Sequence, residues 1–198
     1  MSNGLGEKPL ASRKPVYVLD ATPIIHFAKI TRLNHILEVC EAHITSEVYR
    51  EAVDRGEGRP DAMLIRDAVE RGEIRVYDVR DRRLVDALLR HPEIHKGEAE
   101  TLAAAKELNA FAIIDEAEAR AVGRTYAIQT RTGTLFLLFK LLTMKRVEPE
   151  ECLGILDELV ESGLYIDSLT LTRARQKIEK EEHKELRWAS RSRKAFDE

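Results

Sequence analysis

Apolar positions along this chain alternate between two spacings. Val16–Leu19 reads VYVL, a short run of apolar, β-branched and aromatic residues, and it predicts a buried strand. Thr22 followed by Pro23 predicts an N-cap and a first helical position, with the helix continuing through IIHFAKI. Asp20 therefore stands where a strand stops and a helix starts. The same grammar recurs further on. Residues 42–44 predict a small strand, followed by a helix bearing Val48, Glu51 and Ala52. Pro60 opens an amphipathic helix that Gly72 closes, and Ile74–Tyr77 predicts a strand. Residues 81–89 and the Ala-rich 97–108 predict helices, the second ending on Asn109 as C-cap. Phe111–Ile114 (FAII) predicts another buried strand, with Asp115 at its end. A weak strand is expected at 127–129, helices at about 134–144 and 149–161, and a last charged helix after Gly163.

Strands alternating with helices imply a parallel sheet with right-handed crossovers. The expected fold class is α/β, a three-layer α/β/α sandwich around four to five parallel strands. A leader at 1–14, one domain at 15–172 and a charged helical tail at 173–198 complete the organisation. The tail reads either as a solvated helix or as an oligomerising or RNA-contacting arm built on Arg173, Arg175, Lys177, Arg191, Arg193 and Lys194.

At 198 residues with 43% hydrophobic side chains, the chain can build one sizeable core. Cys40 and Cys152 are two cysteines with no metal-ligand spacing, and read as small buried hydrophobes. The first fifteen residues lack the apolar core of a signal peptide. The longest apolar stretch, at 135–142, is interrupted by Lys140 and is too short for a bilayer, so a cytoplasmic protein is expected. A net charge of −3 excludes a globally basic surface, so any nucleic-acid binding must use a local patch.

Ligands of open parallel sheets bind beyond the carboxyl ends of the strands. Asp20 and Asp115 both occupy that edge. Ionised carboxylates gathered there need a neutralising partner, and a hard cation such as Mg²⁺ or Mn²⁺ suits oxygen donors. Glu51 borders an apolar helix face. Glu98 sits in a first helical turn, where the helix dipole alone also accounts for a carboxylate. Glu116 shares the edge with Asp115. Thr130, Arg131 and Thr132, within TRTGT before a helix, suit a phosphate or simple capping. Arg120 and Arg124 are close in sequence to the same edge and are candidate phosphate contacts, as is Thr22. The six histidines form no close metal pair, and no Walker or Rossmann glycine pattern is present.

These segments resemble the PIN-domain family. VYVLDATPIIHFAKI is similar to its opening motif, ITSEVYREAV to the second, GEAETLAAAKELNA to the third and FAIIDEAEARAVG to the fourth. Residues from TGTLF onward resemble a PIN subfamily related to VapC toxins. The resemblance covers about 16–178. It implies Asp20, Glu51, Glu98 and Asp115 as metal-holding catalytic residues, with the fourth position open between Asp115 and Glu116. It implies a Mg²⁺- or Mn²⁺-dependent endoribonuclease leaving 5′-phosphates, a VapC-like toxin with an antitoxin protein as partner, and a dimer. The third position departs from the VapC pattern, since Glu98 stands where those toxins tend to carry Asp. That departure, with the acidic net charge, motivates the alternative of a PIN fold that binds RNA or a protein without cutting. A phosphoacceptor domain using Asp20 is a third reading, although the DxDx[TV] pattern is missing.

Overall fold

A computed structural model describes residues 14–194 of the chain, with side chains described as far as Glu181. The leader expected at 1–14 therefore lies almost wholly outside the described residues, as do the side chains of Arg191, Arg193 and Lys194.

Five strands form one parallel sheet: β1 (Val16–Leu19), β2 (Glu41–Thr45), β3 (Ile74–Tyr77), β4 (Phe111–Ile114) and β5 (Thr130–Thr132). Their spatial order is β3-β2-β1-β4-β5, so the winding reverses between β1 and β4. Side chains alternate across a strand with a period of two. Tyr17 and Leu19 accordingly enter one core and Val18 the other. Ile113 sides with Leu19, whereas Ala112 and Ile114 side with Val18. Both faces are covered by helices, which is why β1 and β4 are continuous apolar runs.

The first face carries α1 (Ala21–Lys29), α2 (Leu33–Val39), α4 (Pro60–Glu70), α8 (Gly133–Thr143), α9 (Pro149–Glu161) and α10 (Ser168–Lys194). Its core is built on Ile24, Phe27, Ile36, Leu137, Leu138 and Ile155, all fully buried. The second face carries α5 (Arg82–Leu88), α6 (Lys96–Glu107) and α7 (Ala117–Thr125). There α6 supplies a run of alanines, Ala103, Ala104 and Ala105, whose small size lets the helix lie close to the sheet. The three-layer α/β/α architecture is the one expected from the sequence. No described helix is long and apolar enough to cross a membrane.

Local details depart from the sequence reading. Helix α1 starts two residues earlier than expected, at Ala21, with Asp20 in the N-cap position; the Asp20 side chain makes no capping bond there. The weak strand expected at 127–129 lies instead at Thr130–Thr132, because α7 runs to Thr125 and Ala127 turns the chain with φ +56°. The helix after β2 is short, α3 (Ser46–Tyr49), and passes directly into a π turn, Arg50–Asp54. The division drawn at residue 172 falls inside α10, whose Ala174 and Ile178 are buried in the first core.

Candidate functional site

The reversal of strand order opens a crevice beyond the carboxyl ends of β1 and β4. Asp20 enters it directly. Its backbone N–H donates to the Ile113 carbonyl at 3.0 Å, which fixes the tip of β1 beside the tip of β4. The Asp20 carboxylate is buried, at 5% exposure, and no Lys or Arg pairs with it among the described residues.

Glu51 arrives from the π turn. A wider turn shifts the side-chain register relative to a continuous α-helix, and such turns recur at functional sites. The helix bearing it is held against α6 by two contacts. The Glu47 backbone N–H donates to Glu100 Oε2 at 3.3 Å, and Lys96 Nζ lies 2.7 Å from Glu47 Oε2. The consequence shows at Gly97. A β-carbon placed on that glycine would sit 3.4 Å from Glu51 Oε2 and 3.7 Å from Asp20 Oδ1. Two carboxylates distant in sequence thus aim at one spot, kept clear by the missing side chain of Gly97. A glycine opening an otherwise Ala-rich helix was the sequence signal for this, since it is a poor helix former at a place where Ala would serve.

Glu98 is buried in the first turn of α6, and one of its oxygens accepts the His95 backbone N–H at 2.8 Å. Its carboxyl is pushed up by burial, offset by that bond, and raised further by the charges of Glu116 and Glu51. Burial likewise pushes Asp20 well above the usual carboxylate range, with Glu116, Glu98 and Glu51 adding to it. Glu116, at the N-cap of α7, is raised by burial and by its neighbour Asp115, against the opposing charges of Arg120 and His95. Asp20, Glu51, Glu98 and Glu116 therefore form one electrostatically coupled group. Among the described residues, no three of these donors already surround a single point at metal-ligand distance.

Asp115 is placed differently. Its two oxygens accept the Thr134 backbone N–H at 2.9 and 3.1 Å, and the Thr134 hydroxyl donates at 2.7 Å. Gly133 packs so tightly beneath it that a β-carbon there would overlap the carboxylate. Asp115 thus caps α8 from outside the helix, while Thr132, the formal N-cap, makes no side-chain cap.

Of the expected nucleic-acid contacts, Thr22, Arg120 and Thr132 line one cleft of about 790 Å³ together with Asp115 and Glu116. Arg120 spends its guanidinium on the carbonyls of Ile114 (2.8 Å) and Asp115, closing the end of β4. Arg124 is exposed in the last turn of α7 and does not line that cleft. Thr130 is half-buried in β5. Arg131 lies 4.0 Å over the ring of Phe111, the first residue of β4, and donates to the Thr130 carbonyl.

The donor set is made of oxygen alone and is anionic, and among the described residues none of Asp20, Glu51, Glu98 and Glu116 forms an ion pair with a Lys or Arg. That chemistry fits a hard divalent cation. Comparison with curated proteins yields no match. The family model described as PIN domain matches residues 16–180, which is most of the chain and includes every carboxylate described above. The chain belongs to the PIN-domain family.

Proposed function

We propose that the protein is a divalent-metal-dependent endoribonuclease whose ion is held by Asp20, Glu51, Glu98 and Glu116, with Mg²⁺ or Mn²⁺ as cofactor. The observation that carries this reading is the convergence of Asp20 Oδ1 and Glu51 Oε2 on the space beside Gly97. PIN domains are generally nucleases, which supports the reaction class.

A cation bound there would lower the pKa of an attacking water and offset the charge that develops on the phosphodiester. The chain's own groups do the rest. Asp20 and Glu51 present oxygens from β1 and the π turn, and Gly97 leaves the space between them open. Glu98 keeps its rotamer through the His95 N–H. Asp115 holds the N-terminus of α8 in place, and Arg120 holds the end of β4. Thr22 and Thr132 offer hydroxyls to the RNA backbone within the adjoining cleft, and Arg124 offers an exposed positive charge nearby along α7. A toxin role, an antitoxin partner and a dimer rest on the VapC resemblance of the motifs.

The direct test is cleavage of a panel of single-stranded RNAs with Mn²⁺ or Mg²⁺, comparing the wild type with Asp20→Asn. Metal-dependent cleavage lost in the variant is the expected result. RNA binding that ignores EDTA, with no cleavage under any metal, would instead establish the second reading, a PIN fold that binds without cutting. The absence of three already converged donors is what favours that alternative.

A further inference from the structure

One aromatic side chain of the described fold stands apart from the rest. Tyr165 is 90% exposed, far beyond any other large apolar residue described; the next, Met63, is 56% exposed. Among the described residues it has no hydrogen-bond, ring or ion partner. It sits in the segment linking α9 to α10, between Leu164, which is buried, and Ile166, which packs on the first core. Its neighbours on both sides are thus anchored while its ring is left in solvent. A tyrosine ring offers a broad apolar face with a polar tip, and this one is held out from a segment anchored on either side of it.

Its position is the second observation. Tyr165 lines the same cleft of about 790 Å³ that Asp115, Glu116, Arg120, Thr22 and Thr132 line. Pockets for compact ligands commonly fall between roughly 300 and 1,000 Å³. The cleft combines an apolar wall, from Leu135, Leu164 and Ile166, with hydroxyls and the His26 ring. His26 Nδ1 is fixed 2.7 Å from Ser162 Oγ, and Ser162 in turn donates to the Leu159 carbonyl. An apolar wall, an unpartnered aromatic ring and fixed polar groups, in one cleft with Asp115 and Glu116, match an unpaired nucleotide: base on the ring, sugar and phosphate toward those acids.

We propose that this cleft receives one unpaired nucleotide adjoining the scissile phosphate, its base stacked on Tyr165. The proposal rests on the nuclease reading for the word scissile, but the cleft itself is tested by binding alone. A duplex keeps its bases stacked on one another and cannot offer one to Tyr165.

The experiment uses the full chain carrying Asp20→Asn, so that RNA is not consumed. Oligoribonucleotides with a single 2-aminopurine are titrated, as single strands and as duplexes. The single strand should bind with quenching of the 2-aminopurine emission. Tyr165→Ala should weaken binding about tenfold and remove the quenching, and Tyr165→Phe should restore both, since stacking needs the ring and not the hydroxyl. Because Tyr165 is so exposed, neither change disturbs folding, and thermal unfolding of each variant verifies this. Equal affinity for duplex and single strand would overturn the proposal. So would Tyr165→Ala binding as tightly as the parent, an outcome that leaves the ring to a protein partner. Stacking and binding as expected, with no cleavage by the wild type under any metal, would sink the nuclease reading and leave the nucleotide cleft standing.

Discussion

Asp115 accepts two hydrogen bonds from Thr134, the backbone N–H at 2.9 Å and the hydroxyl at 2.7 Å, and so serves as the cap that α8 lacks in its own sequence. Glu116, one residue on, instead raises the pKa of Asp20 and Glu98. Of two adjacent acids at one strand tip, Asp115 is spoken for by the Thr134 bonds while Glu116 bears on Asp20 and Glu98, and Asp115 in turn raises Glu116.

That division predicts opposite profiles for two variants. Asp115→Ala should cost about 1–2 kcal/mol, the usual range for a lost helix cap. Glu116→Gln should leave stability nearly unchanged or slightly raised, yet remove most metal-dependent cleavage. Denaturant unfolding in EDTA alongside a cleavage assay separates them. A Glu116→Gln protein as active as wild type would return the fourth position to Asp115.

Gly97→Ala should trade function for stability. The new methyl meets the Glu51 and Asp20 oxygens at 3.4 and 3.7 Å, an ordinary van der Waals approach, so the fold accepts it. Replacing glycine in a helix gains up to about 1 kcal/mol. The same methyl occupies the space on which the two carboxylates converge, so Mn²⁺ affinity should fall, by tenfold or more on the order-of-magnitude scale of a displaced ligand shell. Chemical denaturation and Mn²⁺ titration measure the two effects independently. Unchanged Mn²⁺ affinity would place the ion elsewhere.

Asp20→Asn should stabilise the protein in EDTA at neutral pH. Burial, then Glu116 and Glu98, raise the folded-state pKa of Asp20 above its unfolded value. The folded chain therefore binds the proton more readily, and stability falls as pH rises from the ordinary carboxylate range through the raised pKa. Removing the charge should abolish that loss, so the variant's denaturant midpoint in EDTA at neutral pH should lie above that of the wild type. Mn²⁺ should raise the melting temperature of the wild type and not of the variant. A variant that melts lower than wild type in EDTA would contradict the account.

Glu47 behaves in the opposite sense. The hydrogen bond from Lys96, with further help from the charges of Lys96 and Arg50, holds its carboxyl below the usual range against the effect of burial. Its contribution is present above the unfolded carboxylate pKa and lost as pH falls through the lowered folded value. Its partners are half exposed, at 53% for Lys96 and 50% for Arg50, so solvent screens the pairs. Glu47→Gln should cost roughly 1 kcal/mol at pH 7 and progressively less as pH falls below the ordinary carboxylate range, as read from urea midpoints across that range.

The strands that carry the acids were legible because burial on both faces writes itself as unbroken apolar runs, VYVL and FAII, each followed by an acid. Strand β5 was misplaced by three residues because it is a polar edge strand, Thr-Arg-Thr, held chiefly by its ladder to β4. Residues 127–129 look more strand-like locally, but the chain there is still turning out of α7. The π turn under Glu51 has no periodic trace, since one widened turn alters the register of five residues only. The separate roles of Asp115 and Glu116 depend on Gly133 and Thr134, which the chain brings back from beyond α7. Tyr165 gave no signal at all, because exposure is a property of the packed fold and not of the letters around it.

The reversal between β1 and β4 has a bearing on synthesis. β1 emerges from the ribosome early, but its neighbour β4 begins only at Phe111, and the cap that steadies its tip comes later still, at Thr134. A nascent chain stopped before Phe111 carries Asp20, Glu51 and Glu98 without the strand whose Ile113 carbonyl fixes the tip of β1, and without Glu116. The crevice beyond β1 and β4 is therefore completed only after more than half of the chain has been made, whatever its carboxylates go on to hold.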